Sequence, residues 1–319
     1  MDHAVSRRAL IGAALATPAL AQSWAPTRPI TMLVPNPPGG GSDFAARLFS
    51  DGLARILGQS VVVENRPGAN GNIAIQAAMR AAPDGQTILL NYSGYHAGNP
   101  AMMANAGFDA LRDFASLGMG TMAPHVVLVG PQMPATLAEF IALARRNTLN
   151  YASSGAGSIQ HIAGALFSRA IGAEMVHVPY RGAAPALQDV AGGRVEMFIT
   201  TPSSAIGLVQ GGRLRALAMA SANRAEALPD VPTTAEAGLP GFTIDAWFAF
   251  FVPAATPLPI RERYNAALRE LAQDDAVRRR AREGGATAAP MTLAEMDALV
   301  EREVRELGAV IRANNIRLE

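Results

Sequence analysis

The amino-acid sequence indicates an α/β protein with largely parallel sheets, and three observations support this fold class. Short β-rich runs alternate along the chain with segments of helical apolar spacing, the pattern of parallel strands joined by helices. Half of the 319 residues are apolar and 17% are charged, which supplies a large core and excludes a disordered chain. At roughly 100–200 residues per domain, the length corresponds to about two domains.

Nine short runs rich in apolar and β-branched residues predict the strands. They lie at residues 30–34, 61–64, 87–91, 126–129, 150–152, 175–178, 195–199, 214–220 and 244–252. Apolar residues at helical spacing predict helices at residues 45–57 and 160–171. A further stripe at steps of three and four predicts a C-terminal helix packed on the core, and its members are Leu293, Met296, Val300, Val304, Leu307 and Ile311.

The first 21 residues have the pattern of an export signal. Arg7 and Arg8 precede an apolar run too short to cross a bilayer, and Ala19-Leu20-Ala21 ends it with the A-x-A pattern of a cleavage site. The paired arginines fit a twin-arginine signal as well as an ordinary secretory one, and both remain open. We therefore expect an exported protein, cleaved near Ala21.

Composition excludes several classes of chemistry. The chain has no cysteine and, among its 27 basic residues, no lysine. These absences exclude disulfides, thiol nucleophiles, P-loop lysines and Schiff-base cofactors, so we expect no cofactor. The formal net charge is +1, and the arginines at residues 278–282 are expected to form a solvated helix face. Nucleic-acid binding is therefore not expected.

Two glycine-rich loops have the composition of anion-binding sites. Residues 35–43 follow the first strand and precede a helix, with Gly39-Gly40-Gly41 and with Ser42 or Asp43 as candidate caps. Residues 153–158 repeat this design half a chain later, with Ser158 as the candidate cap. A helix N-terminus offers unpaired N–H donors and the positive end of the helix dipole, which together bind a carboxylate or a phosphate. Two facing lobes would place both helix ends around one anion.

Catalytic and metal-binding motifs are missing from the sequence. The glycine run lacks the Walker lysine, Gly155-Ala156-Gly157 lacks the third glycine of the dinucleotide fingerprint, and no G-x-S-x-G elbow occurs. The histidines have no metal-ligand spacing, so no metal site is expected. Ser158 and His161 could touch, but their shared helix favours a structural cap over a nucleophile–base pair. The sequence therefore favours a protein without catalytic activity.

Several ordered motifs resemble the Bug family, the extracytoplasmic solute receptors of tripartite tricarboxylate transporters. The resemblance covers nearly all of residues 28–319. The motifs are Arg28-Pro29-Ile30-Thr31, the first glycine loop, Val61-Val62-Val63-Glu64-Asn65-Arg66-Pro67-Gly68, Ala81-Ala82-Pro83-Asp84-Gly85, Tyr151-Ala152-Ser153-Ser154-Gly155, His177-Val178-Pro179-Tyr180-Arg181-Gly182, Leu228-Pro229-Asp230-Val231-Pro232-Thr233, Glu236-Ala237-Gly238 and Ala246-Trp247-Phe248.

The resemblance implies a two-lobed periplasmic binding protein of the Venus-flytrap kind, similar to type II, with two strands crossing between the lobes. One lobe would hold residues 28–124 with 250–319, and the other residues 125–249, with the crossing strands at the boundaries. It also implies that backbone N–H groups of the two loops grip one ligand carboxylate. The carried-over residues are Gly40, Gly41, Ser42 and Asp43 in one lobe, and Ser154, Gly155, Gly157 and Ser158 in the other.

Seven further positions are candidates for ligand contact. His161 and Tyr180 match family motifs near the cleft, although His161 can equally support the second loop. Asn36 stands where the family usually has an aromatic residue, which exchanges a stacking ring for an amide. Loop residues at strand ends line such clefts, and they add Tyr92, Ser93, Thr200 and Asp245.

The main hypothesis is a monomeric receptor that captures a small organic carboxylate between its lobes and delivers it to the membrane subunits of a tripartite transporter. Ligand would bridge the two helix ends and so favour the closed state. One alternative is a receptor that presents its closed form to a membrane signalling kinase. Another is a periplasmic hydrolase using Ser158 and His161, which lacks a third orienting group and an oxyanion signature.

Overall fold

The structure, a computed structural model, describes residues 24–317, so the expected export signal lies outside it. Within these residues the strands are Ile30–Val34 (β1), Val61–Asn65 (β2), Thr87–Tyr92 (β3), Phe114–Val129 (β4), Leu149–Ser153 (β5), Met175–Pro179 (β6), Met197–Thr200 (β7), Arg215–Ala220 (β8), Asp245–Pro253 (β9) and Thr287–Ala288 (β10). The α-helices are Gly41–Leu57 (α1), Asn72–Met79 (α2), Asn99–Met102 (α3), Leu137–Ala144 (α4), Ile159–Ala170 (α5), Ala183–Ala191 (α6), Pro202–Gln210 (α7), Leu258–Gln273 (α8), Asp275–Glu283 (α9) and Leu293–Ala313 (α10).

Two groups of parallel strands are connected through two long antiparallel ones. The strand order is β2-β1-β3-β9-β4-β7-β5-β6, with β8 and β10 also paired to β4. Strand β1 is parallel to β2 and β3, and β5 is parallel to β6 and β7. Strands β4 and β9 run antiparallel between these groups. This alternation of strands and helices confirms the predicted α/β class.

Strand β4 changes partners along its length and so links the two groups. Its first part, through Pro124, pairs with β9, whereas His125 pairs with Ala220 of β8 and Val126 with Thr200 of β7. The buried apolar side chains form one large core that spans both strand groups, from Phe49 to Phe167, and a smaller one within the second group. The smaller core surrounds Phe198.

The predicted strands are all present, but β4 begins twelve residues earlier than expected. The first part of β4 contains Gly118, Gly120 and Pro124, which interrupt the apolar alternation. Hydrophobic periodicity therefore does not predict a strand there. Leu117 and Met119 of this part are nevertheless fully buried. Pairing with β9 across the molecule, rather than local propensity, therefore determines this half of β4.

Helix α1 follows β1 because its apolar residues recur on one face. Leu48, Phe49 and Leu53 are buried, and the helix ends at Gly58, whose φ of 75° is the left-handed conformation common at helix C-termini. The predicted C-terminal stripe is confirmed as helix α10, which begins with a capping box between Thr292 and Glu295. Over residues 24–317, no helix combines the length and apolar character needed to span a bilayer.

Candidate ligand-binding site

Two helix N-termini, those of α1 and α5, face the same narrow cleft. Gly40, Gly41 and Ser42 line it from the start of α1, and Ile159 and Gln160 line it from the start of α5. The two helices follow β1 and β5, which belong to different groups of parallel strands. The fold therefore brings together two loops whose helices begin at Gly41 and Ile159, far apart in the sequence.

The N-terminus of α1 carries no side-chain cap. Gly40 is the N-cap residue and, having no side chain, it cannot accept from the N–H groups of Gly41, Ser42 or Asp43. Within residues 24–317 these three N–H groups have no hydrogen-bond acceptor. The Ser42 hydroxyl is turned aside and donates to Asn36 Oδ1 at 2.8 Å. The helix end is thus held open with its donors directed toward the cleft.

The Asp43 carboxylate anchors this loop from behind the cleft. It accepts from the Gly39 N–H, from Arg47 Nε and from Asn65 Nδ2, each at 3.1 Å. Burial would raise the pKa of Asp43, but these hydrogen bonds outweigh it and hold the pKa below its ordinary value. Asp43 is therefore ionised at neutral pH, and its charge is already partnered.

The second loop uses most of its own N–H groups internally. Gly155 N–H donates to Ser153 Oγ, Gly157 N–H to His161 Nδ1, and Ser158 N–H to the Gly155 carbonyl. Ser158 Oγ caps α5 by accepting from His161 N–H at 3.2 Å. The donors left without an acceptor at this helix end, within residues 24–317, are the N–H groups of Ile159 and Gln160.

Gly41 lies close to the opposite wall of the cleft. A Cβ atom at this position would lie 2.6 Å from the ring of Phe248 and 2.9 Å from Thr201 Oγ1. Distances this short do not occur between real Cβ atoms and their neighbours, so any side chain here would push these groups away. Only glycine lets the α1 N-terminus reach the far wall.

The cleft lining combines donors and apolar atoms without any charged side chain. Its remaining members are Asn36, Pro37, Tyr92, Ser154, Gly182, Ala183, Thr201, Ser204 and Phe248. The space between the helix ends is only about 20 Å³. It adjoins a cavity of about 550 Å³ with which it shares Pro37, Ser154 and Gly182. In this cleft an anion would meet helix dipoles and N–H groups rather than a cationic side chain.

Tyr92 contributes a buried hydroxyl to the cleft. Its Oη atom has no hydrogen-bond partner within residues 24–317. Burial, and secondly the neighbouring Tyr95, raise the pKa of Tyr92 well above its ordinary value of 10, so the hydroxyl keeps its proton. Its polar neighbours are the Ile159 N–H, Tyr95 and Asn36, so a ligand acceptor would compete with these groups for the Tyr92 proton.

The structure separates the fifteen predicted site residues into four groups. Those lining the narrow cleft are Asn36, Gly40, Gly41, Ser42, Tyr92 and Ser154. The adjoining cavity is lined by Ser154 again, with Gly155 and Tyr180. Residues outside both linings are Asp43, Ser93, Gly157, Ser158, His161 and Thr200. Asp245 lines a different cavity, together with Arg224 and Arg282.

Several cleft residues were not named individually from the sequence as candidates. Ile159 and Gln160 follow directly from the predicted Ser158 cap, because the free donors of a helix are those just after its cap. Thr201 lies in the segment of residues 200–203 that the sequence predicts as a wall of the cleft, and Ser204 follows it in the first turn of α7. Phe248 lies in the motif Ala246-Trp247-Phe248, but its place in the cleft depends on the pairing of β9 with β4.

Neither a metal nor a catalytic group is apparent at this site. In residues 24–317, no cluster of three or more His, Asp or Glu side chains could hold a metal ion. Ser158 Oγ contacts the backbone N–H of His161, while His161 Nδ1 accepts from Gly157. The imidazole of His161 is therefore engaged with the loop, not with Ser158.

Comparisons with known proteins agree with this architecture. Residues 45–316 match the sequence profile described as "Tripartite tricarboxylate transporter family receptor". BugT of Bordetella pertussis is 34% identical over 311 residues, which cover 96% of this chain and 95% of BugT.

Solved structures are similar over the same extent. The periplasmic binding protein BugD gives a TM-score of 0.87 at 28% identity, covering 92% of this chain and 100% of BugD. A Rhodopseudomonas palustris protein solved with adipate gives 0.88 at 34% identity, covering 92% of this chain and 99% of that one. These similarities confirm the expected two-lobed fold of periplasmic binding proteins.

Proposed function

Because this chain belongs to the tripartite tricarboxylate transporter receptor family, we propose that it captures a small organic carboxylate between its lobes and delivers it to the membrane subunits of a tripartite transporter. The similar R. palustris protein, solved with adipate, supports an organic acid as the ligand. Family membership supports a periplasmic location and a binding role without catalysis.

The convergence of two helix N-termini on one cleft carries this proposal. The unpaired N–H groups of Gly41 and Ser42 on one side, and of Ile159 and Gln160 on the other, would bind the two faces of one carboxylate. The Tyr92 hydroxyl would add a further donor. In the second loop this assignment differs from the sequence expectation, because the N–H groups of Gly155, Gly157 and Ser158 already have acceptors there.

The remainder of the ligand would occupy the adjoining cavity. The narrow cleft has room for a few atoms only, whereas about 550 Å³ is available beside Tyr95, Tyr180 and Arg181. We assign the carboxylate to the cleft and the rest of the molecule to this cavity. Its walls would then determine which acid is preferred.

Closure of the two lobes is the proposed mechanism of capture. The lobes are residues 28–124 with 250–319 and residues 125–249, a division supported by the change of partners in β4 at Pro124 and His125. A ligand held by α1 and α5 together binds the closed state better than the open one. Its binding therefore shifts the population toward closure, which a membrane subunit can recognise.

Thermal unfolding with a panel of acids tests the proposal. Adipate, other dicarboxylates, tricarboxylates and amino acids are each compared with the corresponding amide or ester. A ligand at 100 times its Kd should stabilise the protein by about 2.7 kcal/mol. Stabilisation by an acid but not by its neutral analogue supports the carboxylate site, and equal stabilisation by both would contradict it. Hydrolysis of any ester in the panel would contradict the absence of catalysis.

A further inference from the structure

Two histidine rings stack directly behind the second loop. His161 of α5 and His177 of β6 have ring centroids 3.9 Å apart and planes within 8° of parallel. Tyr151 of β5 lies against His177, with centroids 5.1 Å apart and planes at 26°. Three neighbouring elements thus each contribute one ring, and neither histidine lines the cleft or the adjoining cavity.

Both histidines are hydrogen-bonded to the loop that they support. His161 Nδ1 accepts from the Gly157 N–H at 3.2 Å. His177 Nε2 lies 2.7 Å from Ser153 Oγ, which also accepts from the Gly155 N–H and donates to the Gly155 carbonyl. Since the Ser153 proton goes to that carbonyl, His177 Nε2–H is the donor to Ser153. The stack therefore reaches both glycines of the loop, each of which has a positive φ.

This arrangement requires uncharged rings. A proton on His161 Nδ1 would leave the Gly157 N–H facing another donor, and two charged rings could not remain 3.9 Å apart. Burial lowers the pKa of His161, and burial together with His161 lowers that of His177 to about 3. The Tyr151 ring lies against both histidines, with centroids 6.5 Å from His161 and 5.1 Å from His177, and burial raises its pKa to about 12, so it stays uncharged.

We propose that His161 and His177 are positioning residues, whose stacked neutral rings hold the loop at residues 153–158 so that the α5 N-terminus meets the ligand. The inference rests on the proposed function for its ligand. The hydrogen bonds between the two histidines and the loop, however, are present in the ligand-free protein. The two parts can therefore be tested separately.

Exchange of the Gly157 amide measures the hydrogen bond to His161 in the ligand-free protein. His161→Phe keeps a ring in the stack and removes the acceptor, so Gly157 N–H exchange with solvent should become about tenfold faster. Adipate affinity at pH 8 should fall about tenfold in the same variant. Unchanged Gly157 exchange would overturn the inference whether or not adipate binds, whereas wild-type protein that binds no acid would contradict only the proposed function.

The pH dependence of binding distinguishes a charge requirement from simple packing. His177→Ala exposes His161 to water, so the pKa of His161 should rise toward its ordinary value of 6.5. The ratio of the variant's adipate affinity to that of wild type should then be about tenfold lower at pH 5.5 than at pH 8. His177→Phe keeps a ring over His161 and loses only the hydrogen bond to Ser153. The ratio of its adipate affinity to that of wild type should therefore be the same at both pH values. An equal pH response in the two variants would overturn the inference.

Discussion

The two glycine-rich loops of this protein have similar compositions, but the N–H groups at the two helix ends are hydrogen-bonded differently. The α1 loop leaves the helix end uncapped at Gly40 and is anchored from behind through Asp43. In the α5 loop, Ser158 caps the helix. The N–H groups of Gly155 and Gly157 donate to Ser153 and to His161 and are not free for a ligand. A glycine-rich loop before a helix therefore indicates where an anion can bind, but it does not identify the donors.

The largest expected effect is at Gly41, where the two sides of the cleft approach. In Gly41→Ala the new Cβ meets Phe248 and Thr201, and overpacking of about 1–3 kcal/mol should weaken binding of the acid selected by the thermal panel roughly 5–150-fold. Gly207→Ala is the matched control, because Gly207 lies in α7 outside both linings and a Cβ there has no neighbour within 4 Å. Calorimetric titration that gave equal losses for both variants would contradict this account of the α1 loop.

The next effect is the anchoring of the α1 loop by Asp43. Asp43→Asn removes the buried charge that holds Gly39 and Asn65, and it should lower the free energy of unfolding by about 1.5–3 kcal/mol at pH 7. Asp51→Asn, on an exposed position of the same helix, is the control. Chemical denaturation measures both, and similar values for the two variants would contradict the anchoring role.

Acid should remove the difference between wild type and Asp43→Asn. The folded-state pKa of Asp43 is lower than its ordinary value of 3.8, so its stabilising contribution is complete above pH 3.8. The contribution is lost as the pH falls through the folded-state pKa. Denaturation curves of the two proteins should converge in that range, and a constant difference would exclude Asp43 as the group responsible.

A smaller effect is expected at the cap of α5. Ser158→Ala removes the acceptor for His161 N–H, which should cost about 1 kcal/mol and lower Tm by roughly 2–4 °C. The α1 loop has no equivalent variant, since Gly40 caps without a side chain. A Tm equal to that of wild type would show that the two helix ends are not held differently.

The smallest change in stability is expected at Tyr92. Tyr92→Phe removes a buried hydroxyl that has no well-aligned partner within residues 24–317, so the free energy of unfolding should not fall and should rise by less than about 1 kcal/mol. If this hydroxyl donates to the ligand, adipate affinity should fall about 3–10-fold. Unchanged affinity in a calorimetric titration would remove Tyr92 from the site.

Much of this architecture could be predicted from the sequence because its signals are local. Apolar periodicity identified α1, α5 and α10, and the glycines, with Ser158 as a cap, identified both loops. The donors at Ile159 and Gln160 were within reach of the same capping rule. Local rules thus give the helices, their ends and the side of the fold on which an anion would bind.

What the sequence does not contain are contacts between distant segments. Phe248 reaches the cleft because β9 pairs with β4. The first half of β4 has no strand-like periodicity, because Gly118, Gly120 and Pro124 interrupt it. The candidate Asp245 sits at the start of β9 and so lines another cavity than Phe248, three residues later on the same strand. Such placements depend on strand pairing across the chain and have no local signature.

The central claim is that both helix ends bind one carboxylate, and amide NMR during a ligand titration tests it most directly. Adipate is titrated into the uniformly ¹⁵N-labelled protein, and adipamide serves as the neutral control. We expect the amides of Gly41 and Ser42 and those of Ile159 and Gln160 to shift with a single common Kd, and adipamide to leave them unchanged. Shifts confined to one loop, or the same shifts with adipamide, would contradict the claim.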